Sequence, residues 1–583
     1  MEKFMRTNLI GKNEATISNI FENRGINPNS IFRLNEEALI DPREVQNLEE
    51  AVKLVQEKMV SGSGLIGIVQ DPDADGYTST AIIFNYLAEC YPEQRNRLTI
   101  LIHEDKTHGI PVGLIKEMTK EGKKFDLIIA PDCSSNEEDV HKQIVENYDI
   151  PIVILDHHEA DKFSDYAVMV NISLDNYPNK CLSGAGVCVK FIQLYDEIFG
   201  FEFGTRYYDL AAIGIISDMI EINQLETIYM VQEGMRNIHN LFLKTLYDAK
   251  KFNLGGQVTP IGISFYISPV INAMTRVGTL EEKKELARAM VVQETENVPS
   301  TKRGAKEGDT ETIHGAIVRK MNNIKARQDR LRDAASNKLL EQIETSGMTN
   351  DQIFILDLEG EYPDTFNGLI ANRIMGEYKK PTLVGSHVSI NGVDFFKGSA
   401  RGDDKSDLPE LKKFNNDSGL FEYAEGHEGA HGFMFEADKK EEIVEYFNNK
   451  LKDITFEPVH QIDFDIDFKE LSMDALSEIT RYSTFWGRGL EEPVFVLRNV
   501  PVKKETVDIA GSFGDHKIVF ESRGLKFIKF KGVTTEAAQR LKSNMETLVD
   551  VAGTIKLSSY QGKTFYQVFI KDIELITSKK YVF

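Results

Sequence analysis

The sequence predicts an α/β protein whose first half is built on a parallel β-sheet, followed by a second α/β region and a β-barrel. Between residues 64 and 158, apolar runs that end in polar residues alternate with helical segments. A long charged helix then precedes a second α/β stretch, and short strands dominate after about residue 455. Strands that alternate with helices are typical of a parallel sheet.

Four predicted strands of the parallel sheet end in polar residues. Their sequences are GLIGIVQ (64–70), LTILIHE (98–104), FDLIIAPD (125–132) and IPIVILDHH (150–158). Open α/β sheets bind ligands beyond the carboxyl ends of their strands, so these polar residues form the candidate site. The stretch from about 15 to 60, before the sheet, is predicted to form short helices.

The second half of the chain contains three further predicted parts. Residues 301–345 are predicted as a connecting helix, since no Pro or Gly interrupts 316–345. DQIFILDLE (351–359) begins the second α/β region, which runs to about 450. The β-rich tail, with one helical piece, has the strand number of an OB-fold, a small barrel that commonly binds single-stranded nucleic acid.

Length, composition and charge limit the class of protein. A chain of 583 residues is expected to form several domains. It has no apolar run of about 18 residues and no apolar leader, and its four cysteines lack CxxC spacing. These features indicate a cytoplasmic protein that does not enter a membrane. The net charge of −23 disfavours nucleic acid as a first interpretation, although a basic groove can coexist with acidic outer faces.

Three carboxylates lie close together in the segment DPDADG: Asp71, Asp73 and Asp75. Alternate residues of an extended segment face the same way, so these side chains are expected to converge. Gly76 then permits an unusual turn or a close helix start. Taken alone, the cluster is equally well explained as a solvated turn or a helix cap.

Further candidate ligands follow other predicted elements: Asp132 and the Asp156–His158 run end two strands, and Asp218 follows an apolar helix. Each one alone has a structural explanation, as a helix cap, a surface histidine pair or a helix end. Together they share the carboxyl edge of one sheet. Carboxylate and imidazole ligands without thiolates suit Mn²⁺ or Mg²⁺, and two such ions about 3.5–4 Å apart promote phosphoester hydrolysis.

DPDADG, the strand end at Asp132, LDHH and the Asp218 segment resemble the four motifs of the DHH phosphoesterase superfamily. The resemblance implies that His158 contacts the scissile phosphate and that Asp156 lies beside or between two metal ions. With Asp75 these two form the expected catalytic set. The implied metal ligands are Asp71 (as an additional or orienting carboxylate), Asp73, Asp75, Asp132, His157 and Asp218.

Other segments resemble the RecJ single-strand DNA exonucleases within that superfamily. They are ENRGINPNSIFRLNEEALIDP, LSGAGVCVKF (182–191), VINAMTRVG (270–278), residues 362–384, KGSARG (397–402) and the β-rich tail. The resemblance implies phosphate and substrate contacts, for which arginine is suited by its bidentate geometry. The implied substrate-binding residues are Asn272, Arg276, Arg373, Ser399, Arg401 and His427.

The chain departs from the RecJ pattern in three places. In EGHEGAHG (425–432), Glu425 replaces a glycine and His431 an alanine, while the family's histidine is kept. HEDKTHG (103–109) replaces an arginine-containing stretch, for which Lys106 or His108 is a candidate substitute. Residues 400–416 are more acidic than expected beside DNA.

The resemblance implies hydrolysis of single-stranded DNA from its 5′ end to mononucleotides, in DNA repair, recombination or replication. Two divalent cations are expected, Mn²⁺ in preference to Mg²⁺. The expected domains are a helical lead-in (1–60), a DHH catalytic domain (61–300), a connecting helix (301–345), a DHH-associated substrate-binding domain (346–452) and an OB-fold (453–583). On the OB-fold, the candidate DNA contacts are Phe527, Lys529, Phe530 and Lys531, for which an ordinary half-buried strand is the alternative.

Other activities remain open from the sequence. A DHH phosphodiesterase for short oligonucleotides or cyclic dinucleotides, or an inorganic pyrophosphatase, would share the motifs but would not need the β-rich tail. A catalytically silent DNA-binding scaffold would typically lack metal ligands, which are present here. The expected partner is single-stranded DNA, a single-strand-binding protein or a helicase is a candidate partner, and a monomer is expected.

Overall fold

Residues 17–61 carry three helices, as predicted for the stretch from about 15 to 60, whereas residues 4–16 contain a short strand and no helix. The computed structural model describes residues 4–103, 107–359, 362–511, 516–560 and 563–576. The predicted site residue Lys106 lies outside these ranges. The N-terminal elements are β1 (Thr7–Leu9), α1 (Ile17–Asn23), α2 (Pro28–Phe32) and α3 (Leu48–Ser61).

A parallel sheet follows, with the spatial order β3-β2-β4-β5-β6. Its strands are β2 (Leu65–Gln70), β3 (Leu98–Ile102), β4 (Phe125–Pro131), β5 (Ile152–Asp156) and β6 (Val168–Asn171). The four predicted strands are confirmed, and β6 was not predicted. Strands β2, β4 and β5 are almost wholly buried, as expected for a parallel sheet covered on both faces.

Ten helical segments pack on and after this sheet. They are α4 (Ala74–Cys90), α5 (Val112–Lys120), α6 (Glu138–Tyr148), α7 (Gly184–Phe199), α8 (Tyr208–Ser217), α9 (Leu225–Arg236), α10 (Leu241–Lys250), α11 (Pro260–Gly262), α12 (Ser268–Val277) and α13 (Leu280–Val291). A π-helical turn, Ile263–Ile267, joins α11 to α12. Helices α4, α7 and α8 pack on one another, and their ends carry much of the candidate site.

The long connecting helix is shorter than predicted at its start. Residues 301–312 are not helical: β7 (Asn297–Pro299) pairs with β8 (Thr310–Thr312) as an antiparallel hairpin, and α14 (Ile313–Ser346) follows. Gly304 and Gly308 take φ angles of 86° and 91° in the loop, a conformation that interrupts a helix. The side chain of Thr312 caps α14 by accepting a hydrogen bond from the amide of Gly315.

A second α/β unit comes after α14. Its sheet has the order β12-β13-β11-β10-β9, in which only β9 and β10 are parallel. The elements are β9 (Phe354–Asp357), α15 (Asn367–Tyr378), β10 (Thr382–Ile390), β11 (Val393–Arg401), α16 (Leu411–Asp417), β12 (Tyr423–His427), β13 (Ala430–Glu436) and α17 (Lys440–Lys450).

The C-terminal part is β-rich, as predicted. Its elements are β14 (His460–Ile462), β15 (Phe464–Asp467), α18 (Met473–Arg481), β16 (Phe495–Lys503), β17 (Asp508–Ala510), β18 (His516–Ser522), β19 (Leu525–Val533), α19 (Thr535–Ser543), β20 (Glu546–Tyr560) and β21 (Lys563–Leu575). Strand β14 pairs with β1, and the other seven form a sheet of order β15-β16-β20-β21-β19-β18-β17.

This sheet curls without closing into a complete barrel through backbone pairing of the described strands. The hydroxyl of Ser522 in β18 donates a hydrogen bond to the carbonyl of Pro501 in β16, which draws distant strands together. Phe527, a predicted DNA contact, is fully buried and stacks on Phe520 at 4.7 Å, so that prediction is wrong. Phe530, by contrast, is exposed. In the described part of the chain, no helix has the length and apolar character needed to cross a membrane.

Candidate metal centre and substrate cavity

The DPDADG segment places its three carboxylates at a strand end and a helix start. Asp71 follows β2, whereas Asp73 is the N-cap of α4 and accepts a hydrogen bond from the amide of Gly76 at 3.0 Å. Asp75 lies in the first turn of that helix, so the extended segment predicted from the sequence is wrong at this point. Position 76 requires glycine, because the backbone there lies so close to Asp71 that a Cβ atom would be 2.5 Å from Asp71 Cβ.

Asp75 is held by the N-terminus of another helix, α7. Its Oδ1 accepts hydrogen bonds from the Ser183 hydroxyl (2.9 Å) and the Ala185 amide (3.2 Å), and its Oδ2 accepts one from the Gly184 amide (2.8 Å). A helix N-terminus stabilises a carboxylate through its free amides and its dipole. These supporting residues lie outside the predicted site, although the segment SGAG is typical of a tightly packed helix start.

Left-handed backbone occurs at Asp132 and directly after Asp218. Asp132 directly follows β4 and has a φ angle of 63°. Asp218 is the C-cap of α8, and Met219 after it has a φ angle of 60°. The amide of Ile220 donates to the carbonyl of Ile215 at 3.1 Å, which completes a Schellman motif at the end of α8. This turn directs the Asp218 carboxylate toward the strand ends.

The predicted ligands converge around His157. Its Nε2 atom lies 3.2 Å from Asp132 Oδ1, 3.5 Å from Asp218 Oδ2 and 3.9 Å from Asp75 Oδ2. Potential ligand atoms of Asp75, His157 and Asp218 all lie within 4.8 Å of one another, as do those of the neighbouring set Asp71, Asp73 and Asp132. The structure thus brings all six predicted metal ligands into two adjoining sets.

The electrostatics of the cluster fit a divalent cation. Burial, together with the charge of Asp73, raises the pKa of Asp75 to about 6, and burial and the charge of Asp75 raise that of Asp132. Burial lowers the pKa of His157 to about 4, so the imidazole is neutral at pH 7, the form that ligates metals. His157 Nε2, Asp132 Oδ1 and Asp71 Oδ1 are buried without hydrogen-bond partners among the described residues. Bound cations would satisfy these atoms and offset the carboxylate repulsion, and the oxygen-rich donor set suits Mn²⁺ or Mg²⁺.

Asp156 and His158 form a hydrogen-bonded pair beside the ligands, and their potential ligand atoms lie within 4.8 Å of those of Asp132 and His157. Nδ1 of His158 lies 2.7 Å from Asp156 Oδ1, and the hydroxyl of Ser135 donates to Asp156 Oδ2 at 2.6 Å. The hydrogen bond to Asp156 raises the pKa of His158 to about 9, so this imidazole is positively charged at pH 7. Both Asp156 oxygens are engaged by these groups, which favours a role in orienting His158. Asn171 at the end of β6 braces the pair by donating to Ser135 Oγ and to the His158 carbonyl.

A cavity of about 650 Å³ opens beside the cluster. Three candidate metal ligands, Asp73, Asp75 and Asp218, line it. The predicted substrate residues that line it are Asn272, Arg276, Arg401 and His427. The Asn272 side-chain oxygen accepts a hydrogen bond from the amide of Ala74, which ties α12 to the DPDADG segment. Burial lowers the pKa of both arginines, and the charge of Arg276 lowers that of Arg401 further. The two cations line the same cavity.

Two predicted substrate residues do not line this cavity. Arg373 on α15 is held against α14, where its guanidinium donates to Asp333 at 2.6 Å and to Asn337 at 2.9 Å. Ser399 lies in the middle of the sheet, between Val384 and Gly432 on the neighbouring strands. The α14 contacts of Arg373 were not predictable because they depend on how two distant helices pack.

The departures from the RecJ pattern have local explanations. His108 Nδ1 lies 2.7 Å from Asp71 Oδ2, so this histidine contacts a predicted ligand. His431 is buried, with Nε2 2.8 Å from the Asn415 side-chain nitrogen. Glu425 is exposed and does not line the cavity, whereas Asp404 does. Asp404 and Arg488 are cavity residues that the sequence analysis did not single out.

Comparison with known proteins places this geometry in a family. Residues 65–215 match the DHH family, N-terminal domain, and residues 462–572 match the RecJ OB domain. A crystal structure of RecJ in complex with Mn²⁺ from Thermus thermophilus matches with a TM-score of 0.71 and 22% identity, covering 96% of this chain and 76% of that one. The corresponding Mg²⁺ complex matches with a TM-score of 0.67 and 20% identity, covering 96% and 74%. At these identities the matches establish the fold.

A closer relative establishes the family. YorK, an SPbeta prophage-derived protein of Bacillus subtilis (strain 168) that carries the name of a single-strand DNA-specific exonuclease, is 32% identical over 582 residues. The alignment covers 99% of this chain and 99% of YorK. Since the two sequences match over almost their whole length, the chain belongs to the RecJ family of DHH proteins.

Proposed function

We propose that this protein is a metal-dependent exonuclease that degrades single-stranded DNA from the 5′ end to mononucleotides. The observation that carries the proposal is the convergence of the six carboxylate and imidazole ligands beside a cavity that also holds Arg276 and Arg401. Ligands for divalent cations next to two desolvated arginines suit a phosphodiester. The names of the relatives supply the choice of single-stranded DNA.

The proposed site residues have distinct roles. Asp71, Asp73, Asp75, Asp132, His157 and Asp218 would hold two cations, which when bound lower the pKa of a water molecule and neutralise phosphate charge. Asp156 orients His158, and the charged imidazole donates a hydrogen bond to a non-bridging oxygen of the scissile phosphate. The α7 N-terminus keeps Asp75 in place. The chain therefore contributes mainly positioning and electrostatic stabilisation.

We assign the 5′ polarity to the two arginines that line the cavity. Arg276 and Arg401 would bind the terminal 5′ phosphate, with His427 lining the same cavity and Asn272 fixing the position of α12. With the 5′ terminus bound to the arginines, the first internucleotide phosphate would lie at the candidate metal ligands. This arrangement would favour the 5′ end, since a 3′ end presents no terminal phosphate to the arginines.

The same proposal assigns the domains. Residues 61–300 form the catalytic domain and 346–452 the substrate-binding domain, with α14 between them. Residues 453–583 hold the DNA strand beyond the cavity. A monomer suffices, since one chain contributes every residue of the site. Removal of 5′-ended single strands would serve DNA repair, recombination or replication.

The test uses long single-stranded DNA labelled at either end, with Mn²⁺ or Mg²⁺. We expect cation-dependent release of 5′-terminal mononucleotides by the wild type and none by the Asp75→Ala variant. Asp248→Ala, which removes an exposed carboxylate of α10, is the matched control and should retain full activity. Shortening from the 3′ end would contradict the polarity. Turnover of dinucleotides or pyrophosphate without degradation of long strands would contradict the substrate.

A further inference from the structure

A second cavity of about 770 Å³ adjoins the substrate cavity. The two cavities share Met219 and Arg488, which therefore stand at their boundary. We call the second one the downstream cavity. It has an apolar wall, formed by Ile216, Ile220, Ile222, Pro260, Ile261 and Phe265.

Met219 presents an apolar side chain at this boundary despite an unfavourable backbone. It occupies the left-handed position after the α8 C-cap, where glycine is usual because a side chain is strained there. Its residue surface is nevertheless 51% exposed. Phe265, on the π-helical turn of the same wall, is 71% exposed. An exposed methionine and an exposed aromatic ring beside a phosphate-binding cavity provide faces against which nucleobases pack.

Arg488 provides a cation at the same boundary. Its backbone is fixed, since its carbonyl accepts a hydrogen bond from the Ile222 amide at 2.7 Å and the next residue, Gly489, has a φ angle of 76° next to Glu221. Its guanidinium makes no ion pair or side-chain hydrogen bond with the residues that the structure describes. A fixed backbone and an uncommitted guanidinium suit a phosphate that arrives with the substrate.

Further cations gather where the downstream cavity meets the other domains. Lys405 comes from the second α/β unit, and Lys571 and His460 come from the C-terminal part. Burial and the neighbouring charges of Lys571 and Lys405 lower the pKa of His460, which favours its neutral form, so the two lysines supply the positive charge here. Four cationic side chains (Arg24, Lys405, Arg488 and Lys571) and two carboxylates (Glu491 and Glu492) line this cavity. In a chain with a net charge of −23, this local excess of positive charge favours an anion.

We propose that the downstream cavity binds the second nucleotide of the substrate strand, with its base against Met219 and Phe265 and its 3′ phosphate on Arg488. This inference rests on the proposed function, and it makes Arg488 a positioning residue for the reaction. The scissile phosphate joins nucleotides 1 and 2, so the phosphate at Arg488 joins nucleotides 2 and 3. A dinucleotide lacks that phosphate, whereas every longer strand has it.

The test measures kcat and KM on 5′-phosphorylated oligothymidylates of two, three, four and eight nucleotides with Mn²⁺. For Arg488→Gln we expect an unchanged KM on the dinucleotide and a KM raised about tenfold or more from the trinucleotide onward, the usual loss for one charge-assisted hydrogen bond, with kcat retained. Arg488→Lys should recover part of the loss. Arg481→Gln, which removes an exposed arginine of α18 outside both cavities, should match the wild type at every length.

Met219→Gly tests the base contact without disturbing the turn, because glycine prefers this φ angle. We expect its KM to rise about fivefold on normal oligonucleotides, and to equal that of the wild type when nucleotide 2 is abasic. A loss in Arg488→Gln that is equal at all lengths, or no loss at any length, would overturn the inference while leaving the exonuclease intact. Failure of the wild type to cleave any of the oligonucleotides would instead contradict the proposed function.

Discussion

The Gly214→Ala variant tests whether the close packing around Asp75 positions the candidate metal ligands. This glycine lies inside α8, and a Cβ atom there would come within 2.1 Å of Asp75 Oδ1, 2.6 Å of Ala185 Cβ and 2.8 Å of Thr78 Oγ1. None of these atoms is the end of a long flexible side chain. Gly214→Ala must therefore displace the Asp75 carboxylate from its hydrogen bonds with the α7 N-terminus.

The expected magnitudes separate stability from function. Replacing a glycine by alanine inside a helix normally stabilises it by about 1 kcal/mol. Overpacking of a filled core costs about 1–3 kcal/mol, so the net loss in the free energy of unfolding should be roughly 0–2 kcal/mol. Displacement of a supported ligand typically weakens metal binding by about 10–100-fold. Gly214→Ala should therefore remain folded while losing most of its affinity for Mn²⁺ and its activity.

The assay combines urea unfolding of the metal-free protein, Mn²⁺ titration by calorimetry and cleavage of 5′-labelled DNA. Gly376→Ala is the matched control, since this glycine also lies in a helix but a Cβ atom there would meet nothing within 4 Å. The control should gain about 1 kcal/mol and bind Mn²⁺ normally. Wild-type affinity and activity in Gly214→Ala would refute the reasoning that close packing at this glycine sets the position of Asp75.

Three further predictions follow from where the structure places individual side chains. Arg401→Gln should lower kcat/KM about tenfold or more on 5′-phosphorylated DNA but little on 5′-hydroxyl DNA, because only the former presents a terminal phosphate; equal losses on both would contradict the assignment. Arg373→Gln should keep activity within about twofold and lose at most about 1 kcal/mol of stability, since it breaks a half-exposed ion pair with Asp333; a large loss of activity without unfolding would restore it as a substrate residue. Phe527→Ala should destabilise the protein by about 3–5 kcal/mol, because it removes a buried ring. Phe530→Ala should leave the melting temperature unchanged but weaken DNA binding, measured by fluorescence anisotropy. The reverse pattern would contradict the burial seen for the two rings.

The convergence of the candidate residues at the strand ends could be predicted from the sequence. Asp132 and His157 follow apolar runs, and parallel strands bring their carboxyl ends to one edge, so their convergence follows from local patterns. The support of Asp75 by the α7 N-terminus could not be predicted in the same way. It depends on the packing of α4 against α7 and α8, which joins positions more than a hundred residues apart.

Two other differences arise because a local pattern does not determine what lies opposite a residue. LKFIKFKG predicts a strand, but alternation alone does not say that Phe527 faces the core and Phe530 the solvent. Residues 301–312 have a helical composition in part, yet glycines at 304 and 308 and the pairing of β7 with β8 exclude a helix there. Both cases required knowledge of the partner strand.

The helix termini around the cluster act unequally on its carboxylates. Asp73 and Asp75 lie at the N-terminus of α4, where the helix dipole favours a negative charge, whereas Asp218 caps the C-terminus of α8, where the dipole opposes one. Burial and the charges of Asp75 and Asp73 raise the pKa of Asp218 to about 8, so a bound cation would favour its ionised form. The turn that carries Asp218 also carries Met219, which lines both cavities. Under the proposed function, a cation held by Asp218 would therefore bear on the turn at the boundary of the substrate cavity and the downstream cavity, and we expect metal occupancy to affect binding in both.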